Sequence, residues 1–167
     1  MAGSFFAEIR ALHIIVAAAW FGAAAFVTLY LMPAMRQVGP QGGPVMQALD
    51  QRKFHVFMAA NAGLTVLSGC WLYWTLTAGL QPGVVHSPMG VVFGLGGLAG
   101  LLAAILGAAV IGRNVKRLAL VAGKAATGDP SAAGEMAALQ QRIRTASRLV
   151  LMLMVAALLS MTLGHSV

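Results

Sequence analysis

Apolar residues run almost unbroken through four stretches of the chain, and charge and turn residues collect between them. A bilayer core of about 30 Å requires roughly 20 mainly apolar helical residues. The first stretch covers about residues 11–35, the second 54–80 and the third 89–112. The fourth, 149–163, is extended upstream by a more polar segment that keeps helical spacing. The first stretch is too long for a secretory signal and lacks a basic leading region, so it reads as a retained span. The fold class this pattern predicts is all-α: an integral membrane four-helix bundle, one domain over 1–167.

Helices three and four are predicted to project beyond the bilayer. Leu118, Leu120, Val121, Leu139 and Ile143 supply apolar positions on both sides of a Gly128-Asp129-Pro130 turn. Asp129 suits the N-cap and Pro130 the first helical position. A helix over 130–163 would be about 50 Å long, so a cytoplasmic extension of helices three and four is expected.

Composition agrees. The 167 residues are 59% hydrophobic and 9% charged, where a soluble domain carries about 25% charged residues. The single cysteine excludes a disulfide framework and a Cys-rich zinc site. A net charge of +7 would suggest nucleic acid in a soluble protein, but here its distribution matters more. Arg36, Arg52, Lys53, Arg113, Lys116, Arg117, Lys124, Arg142, Arg144 and Arg148 fall on one face, leaving Arg10 on the other. The positive-inside rule makes the basic face cytoplasmic. Both termini are then periplasmic in a bacterial inner membrane, with Trp71, Tyr73 and Trp74 in the outer aromatic belt. The partner implied is the lipid bilayer, and nucleic acid is excluded.

Small residues are expected to let the helices approach closely. Gly96, Gly100, Ala104, Ala108 and Gly112 recur every four residues in span three, and Gly90 and Gly94 form a second pair. In span two Asn61, Thr65 and Ser68 share a face that should turn inward to find hydrogen-bond partners. Both features require only a tight bundle.

Ionisable groups at the membrane surface raise the functional question. His13 lies in the outer part of span one, His86 just before span three and His165 just after span four, so topology brings three histidines to one outer layer. Imidazole suits haem iron and copper. His13 and His86 are the candidate axial ligands for a b-type haem. Ala17 leaves room beside His13, Trp20 closes the site below, and Arg10 and Glu8 are the neighbouring charges. His13, His86 and His165, with Met89 and Met161 as soft ligands, form the alternative copper set. His55, beside Arg52 and Lys53, reads as a solvated residue at the inner boundary. No motif for nucleophilic catalysis, phosphate binding or paired-carboxylate chemistry is present.

The stretch Leu12-His13-Ile14-Ile15, followed by Trp20-Phe21-Gly22, resembles the first helix of two bacterial membrane families. The copper-resistance protein D family and its small four-helix relatives are similar along most of the chain, including Lys53-Phe54-His55, Ser68-Gly69 and Gly112-Arg113. That resemblance implies metal handling. The HemJ-type protoporphyrinogen oxidase, a haem-binding membrane protein, has a histidine early in its first helix that His13 matches, and His86 falls near a second one. The chain departs from that family in reading His86-Ser87-Pro88-Met89 where a lysine follows.

The leading expectation is haem b near the periplasmic face, serving electron transfer or haem-linked redox chemistry with a membrane or periplasmic redox partner. A haem-dependent oxidoreductase is within this reading. Copper handling and a non-catalytic accessory subunit of a membrane complex are the alternatives, and a homo-oligomer fits each.

Overall fold

The first apolar stretch folds as α1 (Ala2–Phe26), passes through a π-helical turn (Val27–Leu31) and continues as α2 (Met32–Gln37). The computed structural model describes residues 2–39, 42–126, 129 and 131–164. α3 (Gly42–Gln51) and α4 (Phe54–Leu76) follow, then the short α5 (Pro82–Val85). α6 (Pro88–Leu106) runs through a second π turn (Gly107–Gly112) into α7 (Arg113–Ala126), and α8 (Ala132–Leu163) completes the described chain. No strand occurs among the described residues.

Four helical rods are long and apolar enough to cross a membrane: Ser4–Gln37, Phe54–Leu76, Pro88–Ala125 and Ala132–Leu163. The last two are about 57 and 48 Å long at 1.5 Å per residue. α1 packs on α4, α4 on α6, α6 on α8, and α8 more lightly back on α1. Trp20, Ala24, Ala103, Val150 and Met154 form the apolar centre, with Met58 and Ala62 of α4 against it. Large apolar side chains face outward around it, among them Leu67 (70% exposed) and Met152 (63%). The chain exposes 10512 Å², against about 7,800 Å² for a soluble protein of its mass. Apolar surface on that scale suits lipid, not water.

The π turns have local causes. Pro33 lacks an N–H, and its ring crowds the carbonyl four residues back. That carbonyl, on Leu29, lies within the first π turn, where Met32 N–H donates to Val27 O, five residues earlier. At the second turn the Asn114 side-chain amide donates to Val110 O at 2.7 Å. A side chain inserted into the helical ladder is a recognised source of helix irregularity.

Three sequence expectations are corrected. The second span ends at Leu76, not residue 80. Thr77, fully buried, donates through Oγ1 to Tyr73 O (2.8 Å) and accepts from Leu80 N (3.2 Å). Ala78, Gly79 and Leu80 then follow in the left-handed region, with φ of 50, 79 and 66°. Second, the N-cap position of α8 is Ser131. Asp129 accepts from Ser131 N (2.9 Å) and Oγ (2.7 Å) instead of capping the helix itself. Pro130 lies outside the described residues.

Third, the every-four ridge of span three is not the seam. Gly96 is in close contact with α8: a Cβ there would stand 2.8 Å from Ser160 Cβ. A Cβ at Gly100 would meet nothing within 4 Å. Four residues turn a helix about 40° too far, whereas seven bring it back within about 20°. The seam therefore runs from Gly96 to Ala103, which is fully buried.

Beyond the apolar centre, α7 packs against the first turns of α8. Val121, Ala132 and Leu139 form a second buried cluster, with Leu118 and Met136 against it. Arg117 Nε donates to Glu135 Oε1 across this pair at 2.7 Å. Leu118, Val121 and Leu139, read from the sequence, thus hold the two helices together, whereas Leu120, 72% exposed, faces away.

Candidate functional site

His13 sits where α1 meets α4, and small residues make room for it. Its ring lies against Gly69, where an added Cβ would stand 3.1 Å from His13 Cε1. Next to that glycine is the buried Ser68, whose Oγ is 2.9 Å from His13 Nδ1. Ser68 Oγ also lies 2.6 Å from Leu64 O and 3.2 Å from Thr65 O. Both of these are carbonyls and only accept, so they take the single hydroxyl proton. The remaining interaction runs the other way: Nδ1–H of His13 donates to Ser68 Oγ. Nε2 is then the unprotonated nitrogen. Metal-binding histidines are typically prepared in this way, with the second ring N–H donated to a fixed acceptor.

The stripe Asn61, Thr65, Ser68 was expected to turn inward to find hydrogen-bond partners, and Ser68 is buried with Asn61 and Thr65 half-buried. Asn61 donates to Phe57 O and Thr65 to Asn61 O, each four residues back on α4. The Ser68 side chain also bonds across to His13 on α1. Among the residues that build the site, Ser68 and Gly69 are the ones sequence reasoning did not assign to His13. The signal was present in the adjacent small pair Ser68-Gly69 on a helix antiparallel to α1.

Alongside, Phe5, Ile9 and Leu12 of α1 face Leu64, Leu67, Ser68 and Trp71 of α4 across an open groove of about 260 Å³. Phe5 meets Trp71 edge-on, with ring centroids 5.3 Å apart. Ala17, one turn further along α1, is half-buried, and Arg10 and Glu8 are exposed. Trp20, 6% exposed, belongs to the apolar centre with Ala24, Ala103, Val150 and Met154. Its indole is committed to core packing below His13.

His86 caps α5 and is exposed. Its Nδ1 lies 2.7 Å from Pro82 O, a carbonyl, so Nδ1 donates here too. Tyr73 Oη donates to Gly90 O at 3.1 Å, which sets the level of α6 against α4. Ser68 lies about 7.5 Å along α4 from Tyr73, on the side toward the basic residues, while His86 precedes Gly90. His86 is therefore placed beyond His13, toward the end away from the basic residues, and no hydrogen bond joins the two rings. Met89 is half-buried at the start of α6, and the Met161 methyl packs near Gly96. His165 lies outside the described residues. Among the described residues no three His, Cys, Asp or Glu side chains gather closely enough to hold one ion.

No protein-family model matches this chain, and no curated protein or solved structure matches it. The site is therefore read from its own geometry.

At the opposite end His55 Nδ1 lies 2.8 Å from Asp50 Oδ1, with both side chains largely exposed. An exposed pair of this kind contributes little, and it fits a solvated boundary residue.

Proposed function

We propose that the chain is an integral membrane four-helix bundle that binds b-type haem through His13, in an electron-transfer or haem-linked redox role. The observation that carries this reading is the hydrogen-bond relay from His13 Nδ1 to Ser68 to the Leu64 carbonyl. It fixes the ring and leaves Nε2 with its lone pair. Haem, if bound, would be held through His13 and would supply one-electron redox chemistry. Ser68 holds the proton on Nδ1, Gly69 admits the ring, and the groove walls Ile9, Leu12 and Leu67 keep water away. Arg10, on the exposed side one turn before His13, offers a charge-assisted hydrogen bond to a carboxylate substituent of the macrocycle.

The asymmetry of basic residues supports a bacterial inner-membrane protein with α7 and the start of α8 in the cytoplasm and both termini periplasmic. The hydrogen bond that orients the His86 ring on Pro82 O favours a second reading, in which His13, His86 and His165, with Met89 as a soft ligand, handle copper.

The test is the absorption spectrum of the purified protein before and after haem loading. A Soret band that His13→Ala abolishes supports the haem reading. No band, or a band indifferent to His13→Ala, refutes it. Stoichiometric Cu(I) retained without colour, and lost in His86→Ala, supports copper instead.

A further inference from the structure

Where α1 turns into α2, the chain comes up against the middle of α8. Thr28, Met32, Pro33 and Arg36 from the first rod and Arg144, Ser147 and Arg148 from α8 enclose a pocket of about 270 Å³. Three arginines line one small cavity. Arg144 and Arg148 are four residues apart, so they share a helix face, and like charges at that spacing destabilise a helix. Among the described residues no carboxylate pairs with them. Of the four carboxylates in the chain, Asp50 faces His55 and Glu135 faces Arg117. Asp129 is engaged by Ser131, and Glu8 is on α1 more than five turns before Thr28. Among the described residues the Thr28 and Ser147 hydroxyls make no hydrogen bond.

The depth of the pocket is as informative as its charge. Arg36 is the first charged residue after the apolar run 11–35, and Arg148 the last before the apolar run 149–163. The pocket thus stands at the boundary between hydrocarbon and headgroups. Its walls combine apolar Met32 and Pro33 with arginine forks, whose planar donors match phosphate oxygens in pairs.

We propose that this pocket binds the phosphate headgroup of an anionic phospholipid from the surrounding leaflet, with Arg36, Arg144 and Arg148 as its donors and Thr28 and Ser147 completing the hydrogen bonds. Basic pockets between spans on the cytoplasmic side hold lipid headgroups in this manner. Three positive charges favour a lipid with two phosphates over one with a single phosphate. The site is independent of the cofactor reading, because no residue is shared with the His13 site.

The experiment uses the full chain in neutral-lipid nanodiscs, doped with cardiolipin, with phosphatidylglycerol or with neither, and native mass spectrometry to count retained lipid. Cardiolipin is retained best, and each of Arg36→Gln, Arg144→Gln and Arg148→Gln lowers its affinity about fivefold. Single variants suffice, so the result does not depend on a triple variant folding. Lys116→Gln and Lys124→Gln, basic residues outside the pocket, leave retention unchanged. Equal loss from those lysine variants, or none from the arginine variants, overturns the proposal by showing diffuse attraction to the surface. Inorganic phosphate at millimolar concentration displaces no lipid. Displacement at that level identifies a soluble phosphate as the occupant and overturns the lipid assignment.

Discussion

Gly96 and Gly100 lie one turn apart on α6, and substituting each by alanine should have opposite consequences. At Gly96 the new methyl would stand 2.8 Å from Ser160 Cβ and 3.4 Å from Ala157 O. Ser160 Cβ is fixed to the α8 backbone, so relief requires α6 and α8 to separate. Overpacking of this sort costs about 1–3 kcal/mol. At Gly100 the methyl meets nothing within 4 Å. Both substitutions exchange glycine for alanine within a helix and share the same propensity gain of up to about 1 kcal/mol. That gain cancels when the two variants are compared, so the difference isolates the steric contribution. It amounts to about 1–3 kcal/mol, or roughly 2–12 °C in Tm for a chain of this size. Thermal unfolding in one detergent, followed by far-ultraviolet circular dichroism, measures it. Gly96→Ala should melt below Gly100→Ala, and Gly100→Ala at or above the parent. Equal melting temperatures would refute the seam and restore an every-four glycine ridge.

Ser68→Ala removes the acceptor of His13 Nδ1–H in a part-buried setting and should cost about 1–3 kcal/mol in the same melt. A haem-loaded sample should also show affinity 10- to 100-fold weaker, and unchanged binding would separate Ser68 from ligand positioning. Thr77→Val leaves Leu80 N–H without its side-chain acceptor, so amide exchange at residues 78–81 should accelerate. Leu80→Gly, which removes a side chain from a backbone at φ 66°, should stabilise the same turn by about 1 kcal/mol. The hydrogen bonds from Ser131 Oγ and N hold the Asp129 carboxyl below its ordinary range. Its folded value being depressed, the contribution is complete above the unfolded pKa of about 3.9 and is lost as pH falls through the folded value. Amide protection at the start of α8 should fall below about pH 4 in the parent, and Asp129→Asn should abolish that dependence.

The long helices were legible because runs of apolar residues can form little else in a membrane, and of Leu118, Leu120, Val121, Leu139 and Ile143 three joined the α7–α8 contact. The cluster of Val121, Ala132 and Leu139 shows why: helical spacing survives where hydropathy falls. Other elements were hidden for physical reasons. α3 begins Gly42-Gly43-Pro44, which reads as a turn, yet proline is compatible with a first helical turn. Ala78 and Leu80 adopt left-handed backbone without the glycine or asparagine that announces it. The partner of His13 was not readable, because Ser68 satisfies its own helix and the histidine with one oxygen. The burial of Trp20 among Ala103, Val150 and Met154 was not readable, because it depends on helices far away in sequence.

The π turn at Val27–Leu31 amounts to a phase shift. Met32 N–H reaching back to Val27 O accommodates one residue more than an α-helical turn, and one residue is about 100° of rotation. Everything beyond Leu31 is therefore turned about 100° from where α1 alone would aim it, and Arg36 faces Arg144 and Arg148 in that orientation. The alignment is encoded by a count of residues more than by their identities. Conservative replacements within Val27–Leu31 leave the phase intact, whereas deleting any one of them rewinds the rod and turns Arg36 away from its two counterparts.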